Sequence, residues 1–143
     1  MAETENLQSA REAIAALNAH DLDRYVQHMD RSIVAESETL GEIHGREGVR
    51  QAYASMFQAF PDLHWEVEQL LASGDHIIAR VVLTGTHEGA FAGIAPTHRK
   101  ASWRGCSVVE IRHGKAVRAR IYADHLSLMR QLGVLPAVKG TTA

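Results

Sequence analysis

Asp124 is the residue of this sequence whose position most clearly suggests acid–base chemistry. It stands between segment 118–123, whose residues alternate like a strand, and segment 125–133, HLSLMRQLG, whose residues repeat like a helix. A carboxylate at the open end of a strand can transfer protons if its pKa is raised. Alternatively, Asp124 caps the last helix by accepting backbone N–H hydrogen bonds, which contributes about 1 kcal/mol.

Two other residues are candidates for proton transfer. His87 follows a strand-like segment and precedes a glycine-rich loop, so it could donate to a substrate carbonyl or shuttle a proton. Alternatively, it is a structural histidine bonded to that loop. Glu36, in the strand-like segment SIVAESE, would supply a further carboxylate. The remaining histidines lack a spacing such as H-E-x-x-H, so no metal site is expected.

Composition excludes several classes of protein. The chain has 143 residues, which predicts a single domain over 1–143 with a loose tail at 136–143. A net charge of -2 without a basic run argues against nucleic acid or an anionic membrane as a partner. Cys106 is the only cysteine, so no internal disulfide can form, and no apolar run approaches the roughly 20 residues of a membrane span. We expect a cytoplasmic protein without a cofactor.

Helical spacing dominates the first part of the chain. Segment 9–29 repeats apolar residues at three- and four-residue intervals, with a break at 18–21 where Asp21 is placed to cap a second short helix. Segment 46–60 predicts another helix, which Pro61 ends. Between these helices, SIVAESE predicts a short strand, and 41–48 reads as a turn region.

Strands dominate the rest. Four long antiparallel strands are predicted, with turns at 73–75 and at Gly114. Helices followed by strands predict an α+β fold, with helices packed on one face of a curved sheet.

Alternation along the strands divides their residues between two faces. A turn centred on Gly114 places Ser107 opposite Ile121 and Gly105 opposite Ala123. The odd-numbered positions of the strands are mainly apolar and predict the interior, with Gln69, His87 and Ser107 as its polar side chains and Leu71 and Val117 among its apolar ones. The even positions are charged and face water or a partner subunit. Small interior residues leave space beneath the helices, either for a ligand or for Met56, Phe57, Phe60 and Trp103.

Several motifs in order resemble the SnoaL-like family of polyketide cyclases. They are FPD at 60–62, GD at 74–75, GTHEG at 85–89, GIAPT at 93–97, HGK at 113–115, and Asp124 with QLG at 131–133. The resemblance implies helices on a strongly curved, mixed or antiparallel sheet that forms a cone with an internal pocket. It also implies a homodimer through the outer sheet face and, for cyclases, a cofactor-free intramolecular aldol condensation in which a carboxylate removes a proton beside a carbonyl.

The resemblance also identifies what differs in this chain. The catalytic aspartate of the family's cyclases corresponds to Ile121 here, and their histidine helper corresponds to Ser107. We therefore expect this chain to share the fold of the family but not the aspartate-based aldol mechanism of its cyclases.

The sequence leaves three possible functions open. The first is a pocket for an apolar, polycyclic or polyketide-like molecule, with cofactor-independent cyclase, isomerase or lyase chemistry. The second is a non-catalytic binding protein of the same fold. The third is an epoxide hydrolase or a hydroxylase of aromatic polyketides. Asp124, His87 and Glu36 are the catalytic candidates, and the candidates for substrate binding are Ser107, Trp103, Tyr25, Trp65, Phe57 and Ile121.

Overall fold

The computed structural model describes residues 2–135, which form four helices and one six-stranded sheet. In chain order the elements are α1 (Ala2–Asn18), α2 (Leu22–Val26), β1 (Met29–Ser37), β2 (Gly41–His44), α3 (Gly45–Ala59), β3 (His64–Ser73), β4 (His76–Thr86), β5 (Lys100–Arg112), β6 (Lys115–Ala123) and α4 (His125–Gln131). The predicted loose tail at 136–143 lies outside the described residues. Within residues 2–135, none of the helices is long and apolar enough to cross a bilayer.

The sheet is mixed, with strand order β2-β1-β6-β5-β4-β3. β3 to β6 form the predicted antiparallel meander, and β1 then pairs parallel to β6. The predicted α+β cone with helices on a curved sheet is therefore confirmed. The segment expected to be only a turn contains β2, which forms a hairpin with β1 through Ala35 opposite Ile43.

The helix boundaries follow from local sequence signals. Asp21 caps α2 by accepting a hydrogen bond from the Arg24 amide at 3.1 Å, as predicted. α3 ends at Ala59, just before Phe60 and Pro61, as the proline predicts. Asn18, at the end of α1, bonds both the amide and the carbonyl of Trp65 at 2.9 Å, which fixes this helix over β3.

The predicted register of the β5–β6 hairpin is confirmed, with Ser107 opposite Ile121 and Gly105 opposite Ala123. Farther along, a register shift between Glu110 and Ile111 pairs Ile111 with Ala116. The prediction that Val117 faces the interior is therefore wrong, and Ala116 occupies that side, because a β-bulge reverses the alternation beyond it.

A second bulge, in β3, reverses which side chains face the interior in the last part of that strand. The register shifts between Val67 and Gln69, so Gln69 pairs with Arg80 and Leu71 pairs with Ile78. Both were predicted to be interior, and both lie on the outer face instead, where Arg80 donates to Gln69 at 3.1 Å.

The loop between β4 and β5 is fixed against the end of α3. The amides of Glu88 and Gly89 both donate to the Ala59 carbonyl, and Phe91 and Ile94 form an isolated bridge. A Cβ at Gly89 would collide with the carbonyl oxygen of Gln58. This close approach requires glycine and keeps Phe91 buried in the core.

We predict that Gly89→Ala lowers the free energy of unfolding by about 1–3 kcal/mol, because the added methyl group has to displace backbone. Urea denaturation checks this. Ala90→Ser, which alters the exposed neighbouring residue, is the matched control and should leave the unfolding midpoint unchanged. Equal midpoints for Gly89→Ala and the wild-type chain would contradict the packing argument.

Candidate functional site

A cavity of about 220 Å³ lies between the concave face of the sheet and the helices α1, α2 and α3. β5 lines it from Trp103 to Ile111, a span of about 26 Å at about 3.3 Å per residue. The cavity therefore follows the length of the cone rather than forming a local void.

Small side chains on the concave face leave this space open. The sheet positions that line the cavity include Ala35, Ala79, Gly105, Ala119 and Ala123. Ala119 and Ala123 face the interior and are nevertheless only half-buried, because part of their surface borders the cavity. The space is therefore open. It is not filled by Met56, Phe57, Phe60 and Trp103, which was the other possibility that the sequence left.

Aromatic side chains provide flat surfaces along the wall. Trp65, Trp103 and Phe91 line the cavity, and Phe60 packs behind them at ring-centroid distances of 5.3 Å from Trp103 and 5.4 Å from Phe91. Trp65 and Trp103 are the only tryptophans of the chain. Their fluorescence therefore reports on this cavity alone.

Two tyrosines line the same space. The rings of Tyr25 and Tyr53 lie edge to face with centroids 5.1 Å apart, and both line the cavity. Burial raises the pKa of Tyr25 well above its ordinary value, and the neighbouring Tyr53 raises it further. Burial also raises the pKa of Tyr53. Both phenols are therefore protonated at neutral pH, and each carries one hydroxyl proton that it can donate in a hydrogen bond.

Two histidines that the sequence analysis did not select as candidates line the cavity at opposite ends. His28 Nδ1 lies 3.1 Å from Ser9 Oγ on α1, and His125 Nδ1 lies 2.7 Å from Thr39 Oγ1 in the β1–β2 turn. Burial lowers the pKa of His28, against the opposing effect of Glu12, and it lowers the pKa of His125, against that of Asp124. Both rings are therefore neutral at pH 7 and can accept a proton.

Their roles were not visible in sequence, because no spacing rule places a turn hydroxyl against a histidine 86 residues away. Among the described residues that line the cavity there is no aspartate, glutamate, lysine or arginine. In residues 2–135, moreover, no three His, Cys, Asp or Glu side chains come together in a metal-binding arrangement.

Asp124 caps α4. Its carboxylate accepts a hydrogen bond from the Ser127 amide at 3.0 Å, and its side chain is exposed and does not line the cavity. The cap alternative of the sequence analysis is thus the arrangement in the structure.

His87 is completely buried and bonded to the loop that follows it. The Thr97 amide donates to its Nδ1 at 3.2 Å, and Thr97 Oγ1 lies 3.0 Å from the same nitrogen. Its ring packs against Phe60, with centroids 5.5 Å apart, and is not part of the cavity wall. His87 is therefore a structural histidine bonded to the loop that follows it, which is the alternative given in the sequence analysis.

Glu36 lies on the outer side of the sheet. Its carboxylate contacts Arg120 at 2.9 Å and Arg118 at 3.4 Å, so it is engaged in a half-exposed ion-pair cluster. It does not line the large cavity. The three catalytic candidates of the sequence analysis are therefore separate from one another and from the cavity.

The binding candidates are placed differently. Five of the six line the cavity: Ser107, Trp103, Tyr25, Trp65 and Ile121. Phe57 does not; it stacks on His20 with centroids 4.0 Å apart and packs edge to face against Trp65. Alternation identified the strand residues of the cavity wall because successive side chains of a strand point to opposite faces, and β5 pairs with β6 without a register shift from Gly105 to Glu110.

Comparisons with known proteins agree with this architecture. Residues 8–132 match the family described as SnoaL-like polyketide cyclase. AclR, a proposed hydroxylase from Streptomyces galilaeus, is 31% identical, with 96% of this chain and 87% of that chain covered and a TM-score of 0.85.

Two more distant structures show the same fold. A proposed SnoaL-like polyketide cyclase from Jannaschia sp. CCS1 is 22% identical, with a TM-score of 0.86 and coverage of 94% of this chain and 95% of that one. IdmH, a proposed polyketide cyclase from Streptomyces antibioticus, is 23% identical, with a TM-score of 0.79 and coverage of 90% and 99% respectively. No curated protein sequence matches the chain.

We predict that Asp124→Ala lowers the free energy of unfolding by about 1 kcal/mol, whereas Asp124→Asn retains the wild-type value, because asparagine caps a helix as well as aspartate does. Thermal and urea unfolding of both variants check this. Asp21→Ala, at the cap of α2, is the matched control for losing a cap elsewhere. A loss in Asp124→Asn as large as that in Asp124→Ala would show that the charge, not the cap, is what stabilises the fold.

Proposed function

The chain belongs to the SnoaL-like polyketide cyclase family, and we propose that it binds an apolar, ring-fused, polyketide-like molecule in its cavity and performs cofactor-independent acid–base chemistry on it. The observation that carries the proposal is the cavity itself, which combines an apolar wall with a few separated polar groups. Such a combination is typical of small-molecule sites, where apolar surface supplies affinity and polar groups fix orientation.

The size of the cavity limits the ligand. A cavity of about 150 Å³ holds benzene, so 220 Å³ accommodates roughly a bicyclic ring system. A larger polyketide would place one end against Trp65 and Trp103 and extend its remainder through the mouth of the cavity. Leu40, which lines the cavity and is 50% exposed, marks that mouth.

The chemistry is limited by the groups that line the wall. With Ile121 at the position of the family's aspartate and no carboxylate among the described lining residues, proton transfer falls to the imidazoles of His28 and His125. The phenols of Tyr25 and Tyr53 are placed to donate to a carbonyl or to an enolate oxygen. We include no role for Asp124, His87 or Glu36, since each is engaged outside the cavity.

A hydroxylase is the second candidate, favoured by the 31% identity to AclR. The two reactions differ in their products. Cyclisation or isomerisation leaves the atoms of the substrate unchanged or releases water, whereas hydroxylation adds one oxygen atom and consumes an oxidant. Mass spectrometry of the product, together with dissolved-oxygen measurement, separates them. A ligand that binds and is recovered unchanged favours the non-catalytic alternative.

We predict that Ala119→Leu weakens binding of a naphthoquinone probe, because the larger side chain occupies cavity space. The measurement is quenching of tryptophan fluorescence, which arises only from Trp65 and Trp103 on the cavity wall. Ala15→Leu is the matched control, since Ala15 is exposed on α1 and does not line the cavity. Equal affinities for Ala119→Leu and Ala15→Leu would contradict the cavity as the binding site.

A homodimer through the outer face of the sheet is also part of the proposal. This face presents ion pairs such as Glu68 with Arg80 and exposes Leu71 and Tyr122, which are 47% and 49% accessible. Aromatic residues and arginine are enriched in interfaces between protein chains, and Tyr122 and Arg80 are of these types.

We predict that sedimentation at micromolar concentration gives the mass of a dimer and that Leu71→Asp shifts it toward the monomer, because a buried charge would be left unpaired. Leu40→Asp, which alters an exposed leucine away from the outer sheet face, is the control and should keep the dimer. A monomeric mass for the wild-type chain would contradict this interface.

A further inference from the structure

We propose that His125 is the catalytic residue that takes a proton from substrate carbon, and that Thr39 is the positioning residue that holds its ring. This inference rests on the proposed function, because it assigns the reacting group within the same cavity. It uses a residue that neither the sequence motifs nor the comparisons identify.

The register of the sheet places His125 beside the aromatic end of the cavity. Because Gly105 pairs with Ala123, the next interior residue of β5, Trp103, lies at the level where His125 leaves the sheet. The Asp124 amide donates to the Arg104 carbonyl at 2.9 Å, which continues the ladder to that level. The His125 ring stacks on Phe91, with centroids 6.3 Å apart and an interplanar angle of 28°.

Thr39 reaches His125 because β1 runs parallel to β6. Ser37 pairs with Ile121, so Thr39 lies two residues farther on, about 7 Å toward the end of β6. There Thr39 Oγ1 lies 2.7 Å from His125 Nδ1. The same oxygen lies 3.2 Å from Nε2. In the tautomer in which the closer nitrogen, Nδ1, donates its hydrogen to this hydroxyl, the lone pair of the neutral ring is on Nε2, and we assign proton acceptance to that nitrogen.

The electrostatic environment suits a base. The ring is half-buried, and burial lowers the pKa of His125 while the adjacent Asp124 opposes that shift. The Asp124 carboxylate is itself engaged by the Ser127 amide. The neutral form of His125 therefore prevails at pH 7, and its partial exposure gives it a route for returning protons to solvent.

The other titratable groups of the cavity are less suited. The raised pKa values of Tyr25 and Tyr53 keep them protonated, so they are donors rather than bases. His28 lies at the opposite end, against Ser9, where the wall consists of small side chains such as Ala10, Ala13 and Ala116. A flat ring system would rest on Phe91 and Trp103, at the His125 end.

In the proposed step, Nε2 of His125 forms a bond to the proton as the C–H bond beside a substrate carbonyl breaks, and the electron pair moves onto the carbonyl oxygen as an enolate. In an isomerisation the imidazolium returns the proton to another carbon. In a ring closure it delivers the proton to the new alkoxide oxygen. Atoms and charges balance without any other reactant.

A nitrobenzisoxazole tests this without knowledge of the natural substrate. A base removes its ring C–H proton, the N–O bond breaks, and a coloured cyanonitrophenolate forms. We expect the wild-type chain to accelerate this reaction above an equal concentration of free imidazole. His125→Gln, which retains a group able to bond Thr39, should lower kcat by about 10²-fold or more. His64→Gln, the matched control at an exposed histidine of β3 that does not line the cavity, should leave kcat unchanged.

The pH profile and the Thr39 variant separate catalysis from a structural effect. Because the base has to be neutral, kcat should rise with pH and then reach a plateau. The midpoint of the rise should lie below about 6.5, the ordinary pKa of histidine. Thr39→Val should lower kcat and leave KM unchanged, since valine has nearly the shape of threonine in the cavity wall and removes only the hydroxyl that holds the ring. Melting temperatures of all variants verify folding.

Three results would overturn the inference: no acceleration by the wild-type chain, a wild-type rate in folded His125→Gln, or equal losses in the two histidine variants. If His125→Gln fails to fold, His125→Asn is the second variant for the same comparison. Failure of the proposed ligand class is a separate outcome, because the probe reports on a base in the cavity whether or not naphthoquinones bind.

Discussion

The structure depends on one constraint: the concave face of the sheet has to pack against helices while six of its cavity-lining positions are alanine or glycine. Protein interiors normally fill such space, and unfilled volume costs packing energy. The cone tolerates the loss because two clusters flank the gap, one around Phe60 and Trp103 and the other around Ile33 and Val49. Tyr25 and Tyr53 pack against both clusters and join them across the cavity.

The distribution of polar groups follows from the same constraint. Charged side chains are paired on the outer face, where water reduces the cost of ionisation, as in the contacts of Glu36 with Arg118 and Arg120. The polar side-chain groups of the described cavity wall are hydroxyls, phenols, imidazoles and the Cys106 thiol, with no carboxylate, ammonium or guanidinium group among them. This separation keeps the interior largely apolar while two imidazoles, those of His28 and His125, remain in the cavity wall.

Sequence reasoning predicted the fold because alternation, helical spacing and turn residues are local signals. It placed Ser107 opposite Ile121 correctly and found the cap at Asp21. It failed at Leu71 and Val117, because a bulge changes the alternation without leaving a sequence signal. It also did not select His125, whose environment is formed by a turn 86 residues away, and a contact of that kind depends on the parallel pairing of β1 with β6.

That parallel pairing also has a consequence for the order of folding. Glu36 of β1 pairs with Arg120 of β6, and 84 residues of chain separate them. β1 therefore cannot join the rest of the sheet until β6 has formed. Contacts of such separation form late, because the loop between them has to close first. During synthesis α1, α2, α3 and β1 leave the ribosome well before β6 does, and their apolar faces stay uncovered for that time. The cavity between the sheet and the helices is therefore completed only when β6 has paired with β1.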